Sequence, residues 1–158
     1  MNAKTLLLLI LITSAAVSKA QTLLNLDSAK IKKSMLSRGG ILRGHKKTVV
    51  KEIGNYAGEY YLDVYTFPPS AQRRDGIYMT AFFISLNNKC FAYKAYYLEQ
   101  PYKGELIKKL NKPNSRLKQI RYHQKWLNLQ AHYSMEILKN IPVNGKIAPV
   151  FTLEVKND

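Results

Sequence analysis

The chain has 158 residues, with 25 Lys and Arg against 10 Asp and Glu. Cys90 is its one cysteine, so no disulfide can form within it and no zinc centre can rest on a cysteine set. The net charge of +15 favours polyanions, but the basic residues are dispersed and no run reaches the five to eight residues of a nucleic-acid tract. Nucleic acid is therefore not expected as a partner. A solvated lysine surface, or attraction to an anionic glycan or surface, remains.

Lys4, the apolar run from Leu6 to Ile12, and Ser18-Lys19-Ala20 follow the order of a secretory signal peptide. The apolar run is shorter than the roughly 20 residues a membrane-spanning helix needs. Residues 1–20 are expected to be removed, leaving 21–158 as one domain, periplasmic or secreted, with no transmembrane segment. Taking 20 residues from 158 leaves 138, and losing Lys4 and Lys19 lowers the basic count from 25 to 23 and the net charge to +13. A domain of that size buries about two-thirds of its unfolded surface, enough for a core without staples. Cys90 reads as a small buried hydrophobe on a strand, with pairing between two chains as the alternative.

The spacing of Ile31, Met35 and Leu36 predicts a helix over 28–38, capped by Asp27 or Ser28 and stopped by Gly39-Gly40. A two-residue period follows. Residues 48–53 read as a strand, and 60–67 as a better one, with Tyr60, Leu62 and Val64 on one face and Tyr61, Asp63, Tyr65 and Phe67 on the other. Asp63 cannot be buried without a partner, so the Tyr60 face is expected under the helices and the Tyr61–Tyr65 face is expected to be wetter. Residues 77–86 are apolar on both faces, as in a central strand. They pair with 90–99 through a tight Asn87-Asn88 turn in which both residues take positive φ.

Leu106, Ile107 and Leu110 predict a second helix over 103–110. The segment 114–129 allows either an amphipathic helix through Leu117, Ile120 and Tyr122 or a strand starting at Trp126-Leu127. Residues 133–138 and 150–155 flank Pro142-Val143-Asn144-Gly145 and form a C-terminal hairpin.

This order predicts one α+β domain, an antiparallel sheet of about five to seven strands with two or three short helices packed on one face. The pattern helix and three strands, then helix and two strands, suggests an internal duplication. The layout resembles that of the small exported α+β proteins related to beta-lactamase inhibitor protein and to outer-membrane assembly lipoproteins. In composition the chain is similar to small exported proteins of Bacteroidota. These resemblances rest on element order and composition and assign no site residue.

Catalytic motifs are absent: the sequence holds no G-x-S-x-G, H-E-x-x-H, phosphate-binding loop or G-x-G-x-x-G. Gly39, Gly40 and Gly44 follow a helix and read as a cap and turn. His45, His123 and His132 lack metal-ligand spacing, although His123 and His132 with Asp63 or Glu136 could hold a metal or move a proton. Glu136 and Glu154 would suit a glycosidase only if the fold set them about 5 to 10 Å apart on one face. No cofactor is expected.

Tyrosine is the suggestive residue. Tyr60, Tyr61, Tyr65, Tyr78, Tyr93, Tyr96 and Tyr97 cluster on strands, and a rigid apolar ring with a polar tip suits a face that binds proteins or sugars. The candidate binding residues are Tyr61, Tyr65, Lys94 and Tyr96; an ordinary half-buried sheet is the competing reading. The expected function is non-enzymatic, a binding or interaction module of the cell envelope whose partner is another envelope protein or an anionic glycan or surface. The alternatives are an envelope structural or maturation factor and a hydrolase with an unrecognised site. An outward tyrosine patch favours the first; a convergent His/Asp/Glu pocket favours the last.

Overall fold

Local chemistry starts the first helix. In the computed structural model, which describes residues 23–53, 56–70, 76–99, 101–113, 116–120, 124–139 and 151–157, α1 spans Ser28–Ser37 and Asp27 caps it by accepting the Lys30 N–H at 2.9 Å. Gly39 (φ +79°) and Gly40 then donate to Leu36 and Met35 carbonyls, each at 2.9 Å, the paired bonds that close a helix end through a left-handed residue. Ile31 and Met35 are the buried face, while Leu36 points outward.

Four strands follow as a meander: β1 (Ile41–Ile53), β2 (Tyr56–Thr66), β3 (Ile77–Ser85) and β4 (Cys90–Tyr97). The helix α2 (Pro101–Leu110) carries the chain across, and β5 (Lys118–Gln119), β6 (Lys125–Asn128), β7 (Tyr133–Lys139) and β8 (Phe151–Asn157) form a second meander. All pairings are antiparallel, in the order β1-β2-β3-β4-β8-β7-β6-β5. Among the described residues each half is one ten-residue helix followed by four strands, and the halves join at β4–β8, so the sheet order reads the same from either edge inward.

The expected fold class is corrected by this arrangement. The sheet has eight strands, not about five to seven, and dominates a molecule with two helices among the described residues, so it is not a balanced α+β fold. The added strands are the short β5 and β6, where 114–129 allows either a helix or a strand from Trp126, and β1 is longer than expected because it begins at Ile41 and not at Thr48. The leader, Gly54-Asn55, His123 and the Asn144-Gly145 turn lie outside the described residues.

Both helices pack on one face. Ile31, Met35 and Leu110 join Tyr65, Phe82, Tyr93, Trp126, Met135 and Val155 in the main core. The expected assignment of β2's faces is therefore reversed: Tyr65 is fully buried under the helices with Asp63 beside it, while Tyr60, Leu62 and Val64 belong to a smaller aromatic cluster on the opposite side. The β3–β4 turn also differs in detail. Asn88 alone takes positive φ (59°), in a three-residue turn closed by Ser85 and Lys89, because one left-handed residue after an ordinary turn suffices.

Candidate functional site

Side chains alternate across the sheet, so the register decides which of them share a face. On the side away from α1 and α2 one row runs Val64, Ala81, Lys94, Glu154, Glu136, Lys125 across six strands. Glu154 is its centre. Its carboxylate meets Lys94 Nζ at 2.9 Å and Lys156 Nζ at 3.4 Å, and Lys94 also lies 5.9 Å from the centroid of the Phe83 ring. Glu136 stands directly opposite Glu154 on the neighbouring strand, a like-charge pairing that the surrounding lysines offset.

An aromatic wall adjoins this charged row. Tyr56 stacks on Phe91 with ring centroids 4.0 Å apart, Tyr60 meets Phe83 and Phe91 at 5.5 and 5.9 Å, and Tyr78 meets Tyr96 edge-on at 6.4 Å. Phe83, Phe91 and Tyr60 shield one another, which leaves Tyr56, Leu62, Val64 and Tyr96 half-buried at the margin. No described helix packs over this face, yet Ala92, Ser134 and Thr152 on it are only 1 to 2% exposed.

The sequence candidates divide between the two sides. Lys94 and Tyr96 lie on this face, away from α1 and α2, whereas Tyr61 and Tyr65 lie on the face beneath the helices. The four do not form one surface. Residues missed by sequence reasoning are Glu154 as the anchor of Lys94, and Lys156, since only the β4–β8 register brings positions 60 apart together.

The two lysines set the ionisation state of Glu154. Burial would raise the Glu154 carboxyl, but Lys94 and Lys156 outweigh that and hold it below its ordinary 4.5. The register does set Glu136 and Glu154 opposite each other on one face, and an ionised Glu154 fits the nucleophile or base of a glycosidase pair but not its acid. A folded-state value below the unfolded one contributes stability above about pH 4.5 that is lost as pH falls through the lowered value. Lys94→Met should therefore flatten the acid side of a denaturation-midpoint profile, measured from pH 3 to 7, relative to the wild type.

Two further groups bear on catalysis. Asp63, its side chain 6% exposed, accepts from or pairs with His45 Nδ1 at 2.5 Å, and the His45 ring stacks on Tyr61 at 5.1 Å. The carboxylate that was expected to mark a wet face is thus satisfied across the strand boundary. His45→Ala should cost about 1 to 3 kcal/mol in chemical denaturation by stranding a buried carboxylate, and Asp63→Asn in the same background should recover part of it. His132 sits exposed in the β6–β7 turn, away from Asp63, and no His/Asp/Glu/Cys group able to hold a metal occurs among the described residues.

Cys90 is fully buried on β4, its thiol donating to the Ala92 carbonyl at 3.3 Å. Burial pushes it up to about 12, so no thiolate nucleophile is present near neutral pH. Native protein should resist a thiol reagent such as Ellman's reagent and react fully only in denaturant, and reductant should leave its melting temperature unchanged.

Comparison of the chain with protein-family models, with curated proteins and with solved structures found no match.

Proposed function

We propose that this protein is an exported, non-enzymatic binding module of the cell envelope that engages its partner through the open face of the eight-stranded sheet. One observation carries the reading: aromatic rings and the Lys94–Glu154–Lys156 cluster share a face that no described helix covers. The half-buried residues of that face, among them Tyr56, Leu62, Val64, Lys94 and Tyr96, mix aromatic, apolar and charged groups, which fits a protein surface or an anionic glycan. The leader-like residues 1–20 support export, and no described helix is long and apolar enough to cross a membrane.

The test is site-specific photo-crosslinking in the native cell, with a benzophenone amino acid at Tyr96 or at Leu129, which is exposed in the β6–β7 turn. A discrete adduct from position 96 and none from 129 supports the reading. Equal adducts, or none from position 96, reject it. Mass spectrometry of the purified chain checks export separately: the reading requires a start at Gln21, and a retained Met1 contradicts it.

A further inference from the structure

The two edges of the sheet are unequal. On one side β5 is two residues long, the ordinary device for blunting an edge. On the other, β1 runs for 13 residues with β2 as its sole neighbour in the sheet order. Between register shifts at Leu42/Gly44 and at Val50/Ile53, the stretch Gly44–Val50 pairs regularly with β2 and leaves its outer backbone groups unpaired by any described strand.

From Ile41 to Val50 the charge along this edge is of one sign. Arg43, His45, Lys46 and Lys47 fall within five residues, with no acidic residue from Ile41 to Val50. Three of them are turned back onto β2: Arg43 to the Thr66 hydroxyl at 2.9 Å, His45 to Asp63, and Lys47 to Glu59 at 2.7 Å. Lys46 is exposed, with no carboxylate in ion-pair reach among the described residues. Apolar side chains flank the basic stretch, Leu42 and Val49 being 37% and 67% exposed.

We propose that the free edge of β1 is a docking site for an acidic, extended segment of another protein, which adds to the sheet as a ninth strand. Backbone hydrogen bonds along Gly44–Val50 would supply the affinity, and an acidic side chain opposite Lys46 the selectivity. A second copy of this chain fits poorly, because pairing β1 with itself sets the basic stretch against itself, and like charges directly opposite destabilise. A polysaccharide cannot complete the ladder of N–H and C=O groups. This edge is a separate surface from the open face, and either can fail without the other.

The probe is a synthetic acetylated peptide of seven alternating Glu and Val residues, tested against folded 15N-labelled protein by NMR titration and amide hydrogen exchange. Binding should slow exchange at outward amides of residues 44–50, and Lys46→Glu, shown folded by circular dichroism, should weaken it about tenfold or more through like-charge contact. A Lys–Val peptide should not bind. The proposal is overturned if neither peptide binds, if a Glu–Val peptide with alternate backbone nitrogens methylated binds as well as the parent, or if slowed exchange falls elsewhere. It is also overturned if the protein alone dimerises with protection at 44–50.

Discussion

Tyr65→Ala is expected to destabilise the protein by about 3 to 5 kcal/mol, the largest loss available on β2, while Leu62→Ala on the opposite face costs only about 1 to 2. Tyr65 is fully buried, edge-on to Phe82 at 5.9 Å, beneath the helices. Leu62 is half-buried on the open side. A second substitution separates ring from hydroxyl. The Tyr65 hydroxyl is buried without a hydrogen-bond partner, and burial first, then Asp63, pushes it up to about 12, so it stays neutral at any physiological pH. Tyr65→Phe should consequently be neutral or stabilising by up to about 1 kcal/mol, since a buried unsatisfied group costs at least that. Urea denaturation of the three variants checks the ranking.

Trp126→Ala should be comparably severe, about 3 to 5 kcal/mol. The side chain is fully buried on the four-residue strand β6, and its indole N–H donates to Asn111 Oδ1 at 2.7 Å, just beyond the end of α2. Trp126→Phe keeps much of the packing and isolates that bond; a loss of about 1 kcal/mol is expected from the bond itself. If Trp126→Ala unfolded like a surface change, the second meander would not share the main core.

Features set by neighbouring residues were legible from the sequence. Asp27, the Ile31–Met35 spacing and Gly39-Gly40 fixed α1 nearly to the residue, and the apolar run 77–86 with Asn87-Asn88 marked β3 and β4. What failed depended on partners far along the chain. β1 begins in a basic stretch exposed on both faces, so it shows no period of two. The Trp126 segment is too short for either period to declare itself. Asp63 misled because a carboxylate reads as wet unless its partner, His45 on the next strand, is already known.

The candidate site was half legible for the same reason. Tyrosine clustering pointed to Lys94 and Tyr96, but assigning Tyr61 and Tyr65 to that surface required knowing which side the helices cover. The Glu154 partnership exists only through the β4–β8 pairing that joins the two halves.

Hydroxyl-radical footprinting of the folded protein, read residue by residue by mass spectrometry, tests most directly which face of the sheet is open. Oxidation at Tyr56 and Tyr96 with Tyr65 protected until denaturant is added is the predicted pattern. Oxidation of Tyr65 as fast as Tyr96 in the folded state would contradict it.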